Sequence, residues 1–258
     1  MVTTNLIGNF FLMVLTFLTA YVSTDPHTNG TPLYHNQTIV NCARFKRAAN
    51  QHTCVLAPIS TEGPYFITND LERSDITEGK KGVKLNLEII LTNAADCTPV
   101  PDAIVHIWQS DAIGDYSGFL QPSGAKLSDG RLKPQNKLTF LRGYQVSDQD
   151  GRTFFQTIVP GWYDGRTIHI HIEVTRGQNV VYIGQFYFTE RFTRKVAQIS
   201  PYSTNTKRRL VNERDHIFPR DNGIQTVLKV AGDLRREVRS RIVVGIDPEA
   251  SETPDFLG

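Results

Sequence analysis

Two histidines separated by one residue stand in an apolar run past the middle of the chain. His169 and His171 alternate with Ile168, Ile170 and Ile172. Because successive side chains of a strand point to opposite faces, both imidazoles are expected on one face, with their Cβ atoms roughly 7 Å apart. Imidazole is the commonest metal ligand near neutral pH, so the spacing indicates two ligands of one ion. The competing interpretation is two hydrogen-bonded histidines on the polar face of the strand.

Two tyrosines in glycine-flanked turns are candidates to complete such a site. Tyr163 precedes His169 in the turn 160–163, and Tyr116 lies in the segment 111–119. Taken singly, each tyrosine is expected to be a packed aromatic with its hydroxyl hydrogen-bonded. Two phenolates beside two imidazoles are hard anionic donors, and tyrosine ligates iron in catalase, whereas zinc sites favour Cys, His and carboxylates. The combination therefore favours Fe(III).

The elements that must position these residues have the pattern of short strands. Apolar and polar residues alternate, or β-branched and aromatic residues dominate, in the runs 83–91, 103–109, 152–158, 168–174 and 180–188. Turn clusters at 148–151 and 176–179 separate some of these runs, and only 190–199 and 224–238 have a helical pattern. Several short strands without long helices between them predict an all-β fold, an antiparallel β-sandwich with little helix.

Composition and charge exclude several classes of protein. The 258 residues are 40% hydrophobic and 21% charged, with a formal net charge of +2. This balance is typical of a globular chain, neither disordered nor a multi-span membrane protein, and it lacks the basic surplus of a nucleic-acid-binding protein. A glycine-rich phosphate loop, a Cys-x-x-Cys pair and a Gly-x-Ser-x-Gly motif are all missing from the sequence.

The first residues have the pattern of a secretory signal. Residues 1–23 contain no charged side chain and are largely apolar, which predicts a signal peptide, with an N-terminal anchor as the alternative. Residues 24–53 are expected to form a polar arm, or else a processed pro-segment, before a β-sandwich domain over 54–250 and a tail over 251–258. Asn29 and Asn36 begin N-glycosylation triplets. The predicted location is therefore extracellular, with no membrane contact after signal removal.

A series of short motifs follows in order through the central part of the chain. They are EGPY at 62–65, PDAIVHIW at 101–108, GDYSG at 114–118, FLRGY at 140–144, DQDG at 148–151, PGWY at 160–163, RTIHIH at 166–171 and QFYF at 185–188. Each motif is weak by itself, but the ordered set resembles the intradiol ring-cleavage dioxygenases, which include catechol and protocatechuate dioxygenases. The resemblance covers about 54–188 and looks like the secreted branch, in which the sandwich lacks a long helical dimerisation segment.

The resemblance implies a metal site with defined residue roles. One non-haem Fe(III) per chain would be bound by four residues and a solvent hydroxide, with Tyr163 and His171 axial and Tyr116 and His169 equatorial. Arg166 matches the arginine that lies over the substrate ring and stabilises its negative charge. Tyr163 would also act in catalysis by accepting a substrate proton.

The implied activity is cleavage of catechols by O2 between the two hydroxylated carbons, giving cis,cis-muconate type products. An extracellular enzyme would meet exogenous phenolics, which suggests degradation or detoxification. The predicted pocket residues are Arg166, Gln185, Tyr65, Pro64, Asp111 and Ile113. The predicted partners are a small aromatic substrate and O2, without nucleic acid, and a monomer is favoured because the stretch before Cys54 has no helical period. The alternatives are a secreted β-sandwich binding or carrier module without catalysis, and a copper or zinc site at the His pair.

The chain has three cysteines, so at most one intrachain disulfide can form. Secretion permits a disulfide, and Cys54 with Cys97 is favoured because both border the sandwich, whereas Cys42 lies in the polar arm. The alternative pairing is Cys42 with Cys54. Either pairing leaves one free thiol, and no cysteine belongs to the predicted iron site.

Overall fold

Two β-sheets form the framework of the computed structural model, which describes residues 55–68, 71–119, 124–129 and 131–251. The predictions for the signal peptide, the polar arm, Asn29, Asn36 and Cys54 fall outside these residues. No helix within them has the length and apolar character needed to span a membrane.

The strands and helices are short. The strands are β1 (Lys84–Asn93), β2 (Ile104–Trp108), β3 (Arg142–Val146), β4 (Arg152–Ile158), β5 (His169–Arg176), β6 (Asn179–Phe188), β7 (Val227–Leu228), β8 (Val230–Asp233) and β9 (Glu237–Ile246). The α-helices are α1 (Glu190–Val196) and α2 (Ile217–Arg220), and 3-10 turns occupy Tyr202–Thr204, Asn212–Arg214 and Gly223–Thr226. The predicted all-β class with little helix is confirmed.

The strand order shows two mixed sheets. One sheet has the order β4-β1-β9-β8, and the other has the order β3-β2-β5-β6-β7. Most pairs are antiparallel as expected, but β1 pairs with β9 and β6 with β7 in parallel. A parallel pair needs a long crossover connection rather than a hairpin. Because β9 lies far from β1 along the chain, no hairpin joins these two strands, and local sequence does not determine their relative direction.

The core between the sheets comes from alternating positions. The side chains of Leu85, Leu87 and Ile89 on β1 are fully or almost fully buried, and so are those of Ile170 and Ile172 on β5. This agrees with the period-two pattern of both segments. The opposite face of β5 therefore remains available for the two histidines.

The two helical predictions have different outcomes. Over 190–199 a helix does form, α1, and the Thr189 side chain accepts a hydrogen bond from Phe192 N at its N-terminus. Over 224–238 the prediction is wrong, because this segment contains a 3-10 turn, β7, β8 and the start of β9. The strands β8 and β9 meet through a turn in which Arg236 N donates to Asp233 O, and tertiary pairing with β1 overrides the local helical pattern.

Cys97 is disulfide-bonded, and its partner lies outside the described residues. Since the chain has three cysteines, the alternative pairing of Cys42 with Cys54 is wrong. The pairing of Cys54 with Cys97 stays a prediction.

Candidate metal centre

Strand β5 holds both histidines on the sheet face that points away from the inter-sheet core. His169 and His171 are each 2% exposed, so this face is also covered. Trp108 is the cross-strand partner of His171 on β2, and the two rings stack with centroids 4.8 Å apart and an interplanar angle of 10°. Both imidazoles are therefore shielded from solvent, and the Trp108 ring packs against the plane of the His171 ring.

Hydrogen bonding determines the tautomer of His169. Its Nδ1 lies 2.6 Å from Thr167 O, which can only accept, so Nδ1 carries the proton and Nε2 presents a lone pair. This Nε2 lies 3.1 Å from His171 Nε2 and 3.4 Å from Tyr163 Oη. Burial lowers the pKa of both histidines well below the ordinary value; the charge of Arg166 adds to this effect for His169, and those of His169 and Arg166 do so for His171. Both rings are therefore neutral, which is the form that binds metals.

Two loops bring the tyrosines to the same place. Tyr116 is buried, and its ring centroid lies 5.7 Å from that of Tyr163, which is partly exposed. The buried Tyr116 hydroxyl lies close to the Tyr163 hydroxyl, whose pKa a hydrogen bond with Tyr116 acts to lower, and it has no other hydrogen-bond partner. Burial raises the pKa of both phenols, and Arg166 partly opposes this effect. Without a cation both phenols are therefore protonated.

The two histidines pass a geometric test for binding a single metal ion. Metal–nitrogen bonds of a first-row ion are about 2.0–2.1 Å, so two ligands at right angles lie about 3 Å apart. The two imidazole nitrogens have a separation of 3.1 Å. In the described part of the chain, no group of three or more His, Cys, Asp or Glu side chains could hold a metal, so any ion at this site would depend on the tyrosines as well. A buried phenol whose only hydrogen-bond neighbour is a second phenol, beside two neutral imidazoles, is a donor set that fits a hard, trivalent cation.

Arg166 lies beside the four donors and is almost fully buried. Its Nη1 is 3.4 Å from His169 Nε2, its Nη2 donates to Gln185 Oε1 at 2.5 Å, and its Nε donates to Asp215 Oδ2 at 2.9 Å. Burial alone would lower the pKa of Arg166, but Tyr163 and Asp215 raise it above its ordinary value. The site therefore keeps a fixed positive charge next to the donors.

Asp215 is a site residue that sequence reasoning missed. Its Oδ2 accepts from Arg166 and from Thr167 N, and its Oδ1 accepts from the backbone of Ile217 and Phe218 at the start of α2. Burial acts to raise the pKa of this carboxyl, but Arg166 and the backbone donors outweigh it and leave the pKa below the usual range. An acid before a helix could have signalled a cap. Nothing in the sequence indicated its contact with Arg166.

A second residue that sequence reasoning passed over is Arg142, which lies buried behind the tyrosines. Its guanidinium donates to Ser117 Oγ, to Ser117 O and to Tyr65 O. Tyr65 in turn stacks on Tyr116 with ring centroids 4.5 Å apart. Burial lowers the pKa of Arg142 to about 9, partly offset by Tyr116. Arg142 thus connects Tyr65 to Ser117, the residue that follows Tyr116.

Two of the predicted pocket residues, Gln185 and Tyr65, contact the donors, and a third, Pro64, directly precedes Tyr65 in the chain. Gln185 is the cross-strand neighbour of His171; its Oε1 also accepts from Tyr187 Oη, and its Nε2 donates to Thr61 O. Tyr65 packs on Tyr116, as described above. Pro64 is partly exposed, and its carbonyl accepts from Leu132 N. Their contact with substrate stays a prediction.

The remaining two pocket candidates lie in the loop before Tyr116. Asp111 is buried and bonded to Lys80 Nζ at 2.7 Å, and its Oδ1 accepts from Ile113 N and Asp115 N. These bonds engage the carboxylate in the loop itself. Ile113 is exposed at the outer surface of the loop. A contact of either residue with substrate likewise stays a prediction.

An ion pair holds the segment that covers the histidines. Arg131 donates from Nε and Nη2 to the two carboxylate oxygens of Glu62, at 2.8 and 2.6 Å, and Glu62 is 0% exposed. Glu173 lies beside this pair, and burial together with Glu62 raises its pKa to about 8. Glu62 follows Thr61, whose carbonyl accepts from Gln185, so the pair connects the covering segment to the site.

Arg131→Met should destabilise the fold strongly. The substitution leaves the Glu62 carboxylate buried without its bidentate partner, which costs about 3–5 kcal/mol of unfolding free energy. Urea unfolding followed by circular dichroism measures the loss. Adding Glu62→Gln should recover a large part of it, because the buried charge is then removed. Equal stability of wild type and the single variant would contradict the ion-pair role.

His106 should make stability depend on pH. Burial lowers the pKa of this β2 histidine to about 4, from a usual value near 6.5. Above pH 6.5 His106 is neutral in both the folded and the unfolded chain and does not affect the free energy of unfolding. As the pH falls toward 4 it is protonated in the unfolded chain first, which lowers the free energy of unfolding by about 2–3 kcal/mol. Urea unfolding of metal-free wild type and His106→Gln at pH 7 and pH 4 tests this. The difference between the two proteins isolates His106 from Glu173, whose raised pKa acts in the opposite direction; parallel losses would refute the assignment.

Comparisons with known proteins bear on the fold and the family of the chain. A family model described as "Dioxygenase" matches residues 61–234. An intradiol ring-cleavage dioxygenase from Tetranychus urticae is 36% identical, with a TM-score of 0.74 over 78% of this chain and 98% of that chain. None of the curated proteins matched the sequence significantly.

Two more distant structures show the fold alone. The dioxygenase domain of a carbohydrate-binding fusion protein from Streptomyces sp. SirexAA-E is 24% identical, with a TM-score of 0.51 over 74% of this chain and 98% of that chain. Catechol 1,2-dioxygenase from Acinetobacter sp. ADP1 is 17% identical, with a TM-score of 0.54 over 87% of this chain and 74% of that chain.

Proposed function

Because this chain belongs to the intradiol ring-cleavage dioxygenase family, we propose that it uses one non-haem Fe(III) to cleave catechols between their two hydroxylated carbons. Tyr116, Tyr163, His169 and His171 hold the ion. Both atoms of O2 enter a cis,cis-muconate type diacid. The observation that carries the proposal is the convergence of two neutral imidazoles and two phenols beside the buried, charged Arg166.

The four donors differ in their expected roles. When bound, Fe(III) supplies the Lewis acidity and electron-accepting capacity that make a catechol reactive toward O2. Tyr116 and the two histidines are buried and hold their positions. Tyr163 is the only one of the four donors that is partly exposed as a residue, so we expect a substrate to approach from its side and to transfer a hydroxyl proton to its phenolate.

Arg166 is expected to stabilise the anionic substrate. Its Nη1 is directed toward the donors, while Asp215 and Gln185 hold the other two nitrogens of the guanidinium. A planar, permanently charged group fixed in this way needs little reorganisation as negative charge develops on the ring. Tyr65 and Trp108 exclude water from the Tyr116 and His171 sides of the site.

The substrate source follows from a proposed extracellular location. The uncharged apolar segment 1–23 and the sequons at Asn29 and Asn36 support secretion. A secreted enzyme of this type acts on exogenous phenolics, which it degrades or detoxifies. Expression of the full chain in a secretory host, followed by N-terminal sequencing of the protein in the medium, tests this part of the proposal; protein retained in the cell with residues 1–23 intact would contradict it.

One experiment tests the chemistry. Purified protein should contain one iron per chain, show the red-brown colour of phenolate-to-iron charge transfer, and consume O2 with a panel of catechols. With isotopically labelled O2, mass spectrometry should find both labelled atoms in a dicarboxylate product. Colourless protein that binds catechols without O2 uptake would instead be a carrier module, and zinc or copper in place of iron would also overturn the proposal.

A further inference from the structure

The two loops that carry the tyrosines, residues 111–116 and 160–165, pack on each other through their backbones. Gly161 N donates to Asp111 O at 2.9 Å, and a Cβ at Gly161 would lie 2.3 Å from Ala112 O. A Cβ at Gly114 would lie 2.0 Å from Trp162 O. The distance between the loops is therefore set by direct backbone contact, and a small shift of either loop changes the relation of the two phenols.

The segment 205–208 is hydrogen-bonded to the loop that carries Tyr163. Asn205 Nδ2 donates to Trp162 O at 2.9 Å, and Trp162 Nε1 donates to Lys207 O at 2.8 Å. Arg208 N donates to Asp164 Oδ1 at 2.9 Å. Residues on both sides of Tyr163 are thus attached to one segment.

The side chain of Lys207 extends from this segment to the other loop. Its Nζ donates to Ile113 O at 3.0 Å, to Gly114 O at 3.1 Å and to the Asp115 carboxylate. An ammonium group has three donors, so all three are used on the residues immediately before Tyr116. Lys207 therefore contacts both tyrosine loops, one through its backbone and the other through its side chain.

We propose that Lys207 is a positioning residue that sets the placement of Tyr116 relative to Tyr163 in the metal centre. The inference rests on the proposed function for its effect on iron, but the loop placement itself is independent of iron. The Lys207 side chain is 32% exposed, and exposed ion pairs contribute little to global stability. Metal and catalytic sites tolerate only about 0.5 Å of displacement, so the same contacts matter far more for ligand geometry.

The test compares Lys207→Met and Lys207→Arg with Arg208→Met, a matched control at an exposed neighbour. In metal-free protein, hydrogen exchange of residues 111–119 should accelerate about two- to fivefold in Lys207→Met, the equivalent of losing one locally acting ion pair. In iron-loaded protein, the charge-transfer absorption should shift and iron release should accelerate about tenfold or more, as expected when a residue that orients ligands is lost. Lys207→Arg should keep exchange and iron release close to their wild-type rates, and Arg208→Met should match wild type.

The thermal midpoint separates positioning from general stabilisation. It should fall by no more than about 4 °C in Lys207→Met, because the lost pair is exposed. Unchanged exchange and an unchanged spectrum would overturn the proposal, and so would accelerated exchange throughout the sandwich with a large fall in the midpoint. If wild type bound no iron, the proposed function would fail, whereas the exchange data would still decide whether Lys207 places the loop.

Discussion

His171→Ala is expected to abolish iron binding and ring cleavage together. His171 is buried on β5, stacked on Trp108, with its Nε2 3.1 Å from that of His169. Loss of residues that merely orient a ligand lowers metal affinity or activity about 10–100-fold, so loss of a ligand should exceed about 100-fold in both. Iron content after purification, the intensity of the charge-transfer band and O2 uptake with catechol measure the effect.

A second histidine provides the matched control for this variant. His216 is exposed, and its side chain does not cap the helix α2 that it precedes. His216→Ala should therefore retain iron, colour and activity. Tyr163→Phe is the complementary variant, because it keeps the aromatic ring and removes only Oη; its colour and activity should also fall. Full activity in both His171→Ala and Tyr163→Phe would mean that the metal centre has been assigned to the wrong residues.

Asp215→Asn is expected to lower turnover and stability at once. The substitution keeps the size of the side chain but removes the charge that faces Arg166 Nε and the backbone donors of Thr167, Ile217 and Phe218. Removing one partner of a buried pair costs about 3–5 kcal/mol of unfolding free energy. Because Arg166 then loses the anion that holds its Nε and is oriented only by Gln185, kcat should fall about 10–100-fold. Steady-state kinetics and urea unfolding measure the two effects.

A surface pair supplies the control for Asp215. Arg176 donates to Glu249 at 2.6 Å, but Glu249 is 82% exposed, so Glu249→Gln should change stability by less than about 1 kcal/mol and leave kcat unaltered. A double variant tests the route of the effect. If Asp215 acts through Arg166, Asp215→Asn should cause little further loss of kcat in an Arg166→Gln background. A full additional loss there would show that Asp215 acts on the reaction by another path.

The β5 histidines show how much of the site is encoded locally. A strand alternates its side chains whatever surrounds it, so the spacing of His169 and His171 was enough to place them on one face. The ordered motifs likewise indicated the family, which the family model and the Tetranychus urticae structure confirm. The alternating pattern of 83–91 predicted β1 for the same local reason.

Other elements depended on long-range pairing. The segment 224–238 had a helical pattern, but it forms β7, β8 and the start of β9, and β9 lies parallel to β1. Such pairing joins residues more than 150 positions apart, for example Glu88 with Arg241. Its energy comes from burying a sheet face, and local sequence contains no measure of it.

By itself, then, the sequence determined the class of the fold, the family and the types of donor available to a metal ion, because strand periodicity and short motifs are properties of neighbouring residues. Only the tertiary structure decided which distant charges serve those donors. Asp215 beside Arg166, Arg131 beside Glu62 and Lys207 beside the Tyr116 loop lie 49, 69 and 92–94 residues from their partners along the chain. The first two contacts exist because chain packing buries Asp215 and Glu62, and a buried charge requires a partner, whereas the partly exposed Lys207 contact exists because packing brings two loops together.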